Sequence, residues 1–122
     1  MKKILFIEDE SALQKTLSDY LKKEGYEVIS ALDGESGLRL AQTQKPDLIL
    51  LDLILPKMDG FEVLRKLMEN PGTKEIPVII LTNLERMEDI GRALELGAKT
   101  YLVKANYTLK EVTEKVKKVL EQ

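Results

Sequence analysis

The chain has 122 residues, of which 43% are hydrophobic and 33% charged, so we expect one domain over residues 1–122 with its own core. Its 19 basic and 21 acidic residues give a formal charge of -2, which argues against direct binding of nucleic acid. Because it has no cysteine and no histidine, disulfides and the usual transition-metal sites are excluded, and only metals with oxygen ligands remain.

Five short apolar segments are predicted to be β-strands. In chain order they cover residues 4–7, 26–29, 48–51, 78–81 and 100–103. The first, third and fourth are continuously apolar, which is typical of strands covered on both faces. Apolar residues recur at helical spacing after every strand. The alternation predicts an α/β, doubly wound, five-stranded parallel sheet with helices on both faces.

Helix ends are indicated by capping residues and glycines. Residues 11–14 and 108–111 each match the capping-box pattern, which predicts that a helix begins at each place. Gly25 and Gly97 follow helical segments, where a left-handed residue ends a helix.

The apolar segments are too short for a membrane span. The longest, residues 48–55, is interrupted by Asp52 and falls far below the roughly 20 residues that a span needs. Only four apolar residues precede Glu8, too few for a secretory signal. We therefore expect a cytoplasmic protein without membrane insertion.

Chemically active side chains cluster where the predicted strands end. Glu8, Asp9 and Glu10 follow the first strand, and the others that follow strands are Asp52, Thr82 and Lys104. In doubly wound sheets, ligands bind outside the carboxyl ends of the strands. We therefore expect these side chains to share one rim.

The residue types at this rim favour phosphoryl chemistry. Glu8, Asp9 and Asp52 would repel each other unless a cation lay between them, and Mg²⁺ is usually held by one or two carboxylates. Asp52, which is central, is the best nucleophile for an aspartyl phosphate. Lys104 and the hydroxyl of Thr82 can each donate to a phosphoryl oxygen.

The sequence resembles the receiver domains of two-component response regulators. The matching segments, residues 4–10, 51–60, 80–82 and 97–104, run almost from end to end. The resemblance implies a flavodoxin-like strand order 2-1-3-4-5. It also implies Mg²⁺-dependent phosphorylation of Asp52 by a histidine kinase, a phosphotransfer protein or a small phosphodonor.

The resemblance also implies a metal ligand set. Asp9, Asp52 and the backbone carbonyl of Ile54 would bind Mg²⁺ directly, and Glu8 would act mainly through bound water. The protein would not be a conventional enzyme, since it would catalyse only the phosphorylation and dephosphorylation of its own aspartate.

Signal output is implied by the same resemblance. Thr82 and Tyr101 match the family's switch pair, and the signal would reach a downstream protein through the fourth helix and fifth strand. Since the chain ends soon after its last helix, we expect output by docking to a partner. The sequence departs from the family pattern at Ala105, where the family usually has proline, and at Asn83, where the family commonly has a smaller residue. At position 8 the family accepts two acids, and Glu8 is the longer of them.

Simpler interpretations exist for most of these residues. Residues 8–10 would also suit the negative first turn of a helix. Thr82 begins a segment, residues 82–85, that matches a capping box, so it would also suit a helix start. The alternative for Lys104 is an ordinary solvated lysine near a strand end, and the alternative for Tyr101 is an aromatic residue of the core.

Two other functions compete with a phosphorylation switch. A Mg²⁺-dependent phosphohydrolase with an aspartate nucleophile usually has a second acid two residues on, where this chain has Ile54. A flavin-binding protein of the same fold is weakened by the lack of a glycine-rich phosphate loop after the first strand. A receiver-like adaptor that is never phosphorylated stays open.

Overall fold

The computed structural model describes residues 1–121, so the last residue of the predicted domain, Gln122, lies outside the described residues. The sheet is formed by β1 (Lys3–Ile7), β2 (Glu27–Ala31), β3 (Leu48–Leu51), β4 (Val78–Thr82) and β5 (Thr100–Val103). The helices are α1 (Ser11–Lys23), α2 (Gly34–Gln44), α3 (Gly60–Glu69), α4 (Met87–Leu96) and α5 (Leu109–Leu120), and a short 3₁₀ helix covers Lys104–Asn106.

The five strands are parallel and lie in the order β2-β1-β3-β4-β5, which confirms the predicted fold. Ile4 at the start of β1 is in register with Val28 of β2 and Leu48 of β3. Further along, Ile49 of β3 is in register with Val78 of β4. All five strands therefore point their carboxyl ends toward one edge of the sheet.

The core has two layers, one on each face of the sheet. Because side chains alternate along a strand, neighbouring residues of β1 enter different layers. Leu5 and Ile7 pack on the face covered by α2, α3 and α4, whereas Ile4 and Phe6 pack on the face covered by α1 and α5. The continuously apolar strands are thus explained by burial on both sides.

The predicted helix ends are partly confirmed. Gly25 and Gly97 have φ values of 94° and 116°, and Thr108 caps α5 in a complete capping box with Glu111. The capping box predicted for residues 11–14 is wrong, because α1 begins at Ser11 after Glu10, which makes no capping hydrogen bond.

The start of α4 differs from the capping-box interpretation of residues 82–85. Thr82 is the last residue of β4, and α4 begins at Met87, with Arg86 as its N-cap. Thr82 is therefore part of the sheet, and α4 begins five residues after it. Within residues 1–121, no helix has the length and apolar character to cross a membrane.

Candidate functional site

Four predicted site residues meet at the carboxyl edge of the sheet. Glu8 and Asp9 follow β1, Asp52 follows the neighbouring strand β3, and Lys104 follows β5. One carboxylate oxygen from each of Glu8, Asp9 and Asp52 lies within 4.8 Å of the others. Glu8 and Asp52 are buried, at 0% and 3% exposure, whereas Asp9 is exposed. The acidic pocket predicted from the sequence is therefore present.

Lys104 lies in the middle of this acidic pocket. Its Nζ donates to Oδ2 of Asp52 at 2.9 Å and lies 2.7 Å from Oε1 of Glu8. Burial alone would lower the pKa of Lys104, but the contacts with Glu8 and Asp52 outweigh it and raise the pKa above its usual value. Lys104 is therefore a charged, mostly buried partner of the acids and not a solvated lysine.

Glu8 is the most deeply buried acid of the pocket. Burial raises the pKa of its carboxyl to about 7, contact with the Lys104 ammonium opposes this rise, and the charge of Asp52 adds to it. Its Oε2 accepts a hydrogen bond from the backbone N–H of Glu10 at 3.1 Å. Its Oε1 is buried and forms an ion pair with the Lys104 ammonium at 2.7 Å.

These features fit a divalent cation with oxygen ligands. Three acids converge, two of them are buried, and Lys104 is the basic side chain that the structure of residues 1–121 places against them. A hard cation would be bound by these carboxylate oxygens and would offset the repulsion among the acids.

The β3–α3 loop places Ile54 beside Asp52. The backbone N–H of Ile54 donates to Oδ1 of Asp52 at 3.1 Å, and the Ile54 side chain is 54% exposed. Three backbone hydrogen bonds hold the rest of the loop: from Gly60 N–H to the Leu53 carbonyl at 2.9 Å, from Met58 N–H to the Pro56 carbonyl at 2.8 Å, and from Gly34 N–H to the Pro56 carbonyl at 3.3 Å. Metal ligation by the Ile54 carbonyl stays a prediction.

Thr82 and Tyr101 are connected through Leu84. The hydroxyl oxygen of Thr82, which is fully buried, lies 3.5 Å from the backbone nitrogen of Leu84, a long hydrogen bond. The Tyr101 hydroxyl donates to the Leu84 carbonyl at 2.8 Å. Burial, together with the charges of Asp89 and Asp52, raises the pKa of Tyr101 to about 12, so the phenol stays a hydrogen-bond donor at neutral pH.

Two polar residues near the pocket were given no role by the sequence analysis, although Glu10 was expected at the same rim. Glu10 lies close enough for its Oε1 to be 3.6 Å from Nζ of Lys104, and its adjacency to Glu8 and Asp9 was the available signal. Gln14 is buried and bonds to the backbone of Glu8, a contact that no sequence pattern indicated.

A family model described as "Response regulator receiver domain" matches residues 4–117. Among curated relatives, the alkaline phosphatase synthesis transcriptional regulatory protein PhoP of Bacillus subtilis is 42% identical over 119 residues, which is 98% of this chain and 48% of PhoP. The DNA-binding dual master transcriptional regulator RpaA of Synechocystis is 40% identical over 120 residues, 98% of this chain and 49% of RpaA. The chain thus spans about half the length of these relatives.

Solved structures agree with this match. The receiver domain of the Francisella response regulator 1452 superposes with a TM-score of 0.91 at 26% identity, covering 99% of this chain and 98% of that one. The BeF3-activated N-terminal receiver domain of RstA from Klebsiella pneumoniae superposes with a TM-score of 0.90 at 29% identity, covering 99% of this chain and all of that one.

Proposed function

This chain belongs to the response regulator receiver domain family, and from that premise we propose that Asp52 is its phosphoacceptor and residues 1–122 its receiver domain. Members of this family are signalling domains and not conventional enzymes. The observation that carries the proposal is the 2.9 Å hydrogen bond from Lys104 to Asp52 inside a pocket of three converging acids.

The proposed reaction is an in-line transfer of one phosphoryl group. A carboxylate oxygen of Asp52 attacks phosphorus, the new P–O bond forms, and the bond between phosphorus and the donor breaks. The donor leaves with the electron pair of that bond, from a phosphohistidine nitrogen or from the oxygen of a small phosphodonor such as acetyl phosphate. The Lys104 ammonium lies where it can stabilise negative charge on the transferring group.

We propose that the metal is Mg²⁺, held by Asp9, Asp52 and the Ile54 carbonyl, with Glu8 acting mainly through water. A pocket of oxygen donors in a chain without histidine or cysteine supports a hard cation. When bound, the cation would neutralise acidic oxygens of the pocket and the phosphoryl group.

The proposed output begins at Thr82 and ends at the α4–β5 face. Thr82 would turn its hydroxyl toward the phosphoryl group, and Tyr101 would report this change through the Leu84 backbone that both residues contact. A histidine kinase or phosphotransfer protein is the proposed donor, and a protein that docks on α4 and β5 is the proposed receiver of the signal.

Intact mass spectrometry with Mg²⁺ and acetyl phosphate tests this function. We expect the wild type to gain the mass of one phosphoryl group, Asp52→Asn to gain none, and chelation of Mg²⁺ by EDTA to prevent the gain. Asp59→Asn is the matched control, because Asp59 is an aspartate of the same loop that caps α3, and asparagine keeps such a cap. A phosphoryl group on Asp52→Asn, or no gain in the wild type, would overturn the proposal.

A further inference from the structure

The side chain of Gln14 is buried beneath the carboxyl ends of β1 and β2. Gln14 lies in the first turns of α1 and is only 6% exposed. The proposed function leaves this residue without a role. A buried amide is costly unless its donors and acceptor are satisfied, so the hydrogen bonds of Gln14 indicate what it holds in place.

The donor end of the amide faces three backbone carbonyls. Nε2 lies 2.9 Å from the carbonyl oxygen of Phe6, 3.2 Å from that of Ala31 and 3.3 Å from that of Glu8. Phe6 belongs to β1, Ala31 ends β2, and Glu8 begins the acidic pocket. One amide nitrogen therefore ties together the ends of two strands and the first residue of the site.

The acceptor end fixes the orientation of the amide. Oε1 accepts hydrogen bonds from the Ser30 hydroxyl at 2.9 Å and from the Ser18 hydroxyl at 3.2 Å. A reversed amide would place Oε1 against three carbonyl oxygens, none of which can donate a proton. The orientation with Nε2 toward the carbonyls is thus the only one that satisfies both ends.

The contact with Glu8 acts on the backbone that carries two predicted metal ligands. The Glu8 carbonyl and the Asp9 nitrogen belong to one peptide group, which is planar, so holding the carbonyl restrains both residues. The Glu8 N–H donates at 2.9 Å to the same Ala31 carbonyl that Gln14 contacts. Glu8 is therefore held through both of its backbone polar groups.

We propose that Gln14 is a positioning residue for the divalent cation, because its amide holds the Glu8–Asp9 peptide in the conformation that presents both carboxylates. This inference rests on the proposed function and adds a residue outside the ligand set. Partners that orient metal ligands typically contribute about ten- to hundredfold to metal affinity. Gln14 acts on the ligands through the backbone. Within residues 1–121, none of its side-chain hydrogen bonds is to Asp52 or Lys104.

The test is a Mg²⁺ titration followed by the backbone amide NMR signals of Asp9 and Asp52. Gln14→Met keeps the length of the side chain but removes the donor, and we expect it to weaken Mg²⁺ binding about tenfold. At saturating Mg²⁺, its phosphorylation rate with acetyl phosphate should return to that of the wild type, because the Asp52–Lys104 pair is intact. Gln14→Lys, which keeps a donor, should bind Mg²⁺ nearly as tightly as the wild type.

Thr73→Val is the control for a general loss of stability. Thr73 is 1% exposed and donates to the Leu67 carbonyl at 2.8 Å, in the connection that precedes β4, so the variant loses a buried hydrogen bond away from the site. Its Mg²⁺ affinity should equal that of the wild type. Signal dispersion in the same spectra reports folding, and Ser30→Ala, which removes the 2.9 Å hydrogen bond that orients the amide, replaces Gln14→Met if the latter is unfolded.

The outcomes separate the inference from the proposed function. If Mg²⁺ fails to shift the Asp9 and Asp52 signals of the wild type, the proposed metal site is wrong. If the wild type binds and Gln14→Met binds equally well, only the positioning role is overturned. Equal weakening in Gln14→Met and Gln14→Lys would also overturn it, since the donor would then not be what matters.

Discussion

Lys104 is the internal counter-ion of the acidic pocket. Its Nζ contacts oxygens of Glu8, Asp52 and Glu10 at 2.7, 2.9 and 3.6 Å, and its side chain is only 13% exposed. Removing one partner of a buried ion pair leaves an uncompensated charge, which costs more than the pair itself contributes. The lysine that would assist phosphoryl transfer therefore also stabilises the metal-free fold.

Replacing Lys104 with methionine should lower stability without Mg²⁺ by about 3 kcal/mol. If Mg²⁺ binds the folded acids as proposed, it neutralises them and should stabilise the variant more than the wild type. Urea unfolding with and without Mg²⁺ measures both quantities. Lys115→Met, at an exposed lysine of α5, is the control and should leave both unchanged. If Mg²⁺ raises the free energy of unfolding of the wild type and of Lys104→Met by the same amount, the lysine and the metal do not interact with the same acids.

Single residues differ in how well the sequence predicted their positions. Asp52 and Lys104 could be placed because each follows a strand, and strand ends of a parallel sheet share one edge. Gln14 could not, because its donor end bonds to backbone carbonyls, which leave no pattern in the sequence. The capping box expected at residues 11–14 is absent because the Gln14 side chain bonds to the strand ends instead.

At the scale of whole elements, the first turn of α2 supports the loop that follows Asp52. Asp33 caps α2 by accepting from the Ser36 N–H at 2.7 Å, and the next residue, Gly34, donates to the Pro56 carbonyl. A side chain at position 34 would collide with the Met58 carbonyl, so glycine permits this close approach. Melting the start of α2 would thus loosen the loop that carries Ile54.

The contribution of the Asp33 cap should depend on pH. The Ser36 backbone N–H, chiefly, lowers the pKa of Asp33 below its ordinary value of 3.8. A carboxyl with a lowered pKa in the folded state contributes stability above its unfolded pKa, and this contribution is lost as the pH falls through the folded pKa. At pH 7, Asp33→Ala should therefore cost about 1 kcal/mol.

Asp33→Asn is the reference, because asparagine also caps helices and does not titrate. Urea unfolding of the wild type and this variant should show the wild type losing stability relative to the variant as the pH falls below about 4. If the difference in free energy of unfolding between the wild type and Asp33→Asn stays constant across this pH range, the charge of Asp33 contributes nothing to the cap.

The strands were predicted to within one residue at each end except for β2, and the other edge strand, β5, has its predicted bounds. β1, β3 and β4 are buried along almost their whole length, so their apolar runs identified them, whereas the edge strand β2 begins one residue later and ends two residues later than predicted. Helix starts were predicted less well, because Thr82 satisfies a capping pattern and a sheet position equally. Tertiary packing decides between the two, and no local pattern encodes it.

Across the whole molecule, a chain of contacts joins the end of β4 to Tyr101 in β5. β4 and β5 are neighbours, and Thr82 at the end of β4 is in register with Val103 of β5. The Leu84 backbone contacts both the Thr82 hydroxyl and the Tyr101 hydroxyl. If a phosphoryl group draws the Thr82 hydroxyl away, Leu84 loses a partner, and the acceptor of Tyr101 can move.

Thr82→Val should separate phosphorylation from this switch, because valine keeps the shape of threonine and lacks the hydroxyl. We expect the variant to accept a phosphoryl group on Asp52. Beryllofluoride, a phosphoryl mimic, should shift the NMR signals around Tyr101 much less in the variant than in the wild type. Thr113→Val, a buried threonine of α5, is the control. Equal shifts in Thr82→Val and wild type would refute the coupling.

The acidic pocket and its lysine are drawn from the ends of three different strands, and the earliest and latest of these residues, Glu8 and Lys104, lie near opposite ends of the chain. A ribosome must therefore release almost the entire domain before the pocket can assemble, and a protease cut within the sheet would dismantle it. A nascent or nicked chain would then compete poorly for phosphodonors. If Asp52 is the phosphoacceptor, as proposed, phosphorylation would therefore report that all five strands of the sheet have assembled.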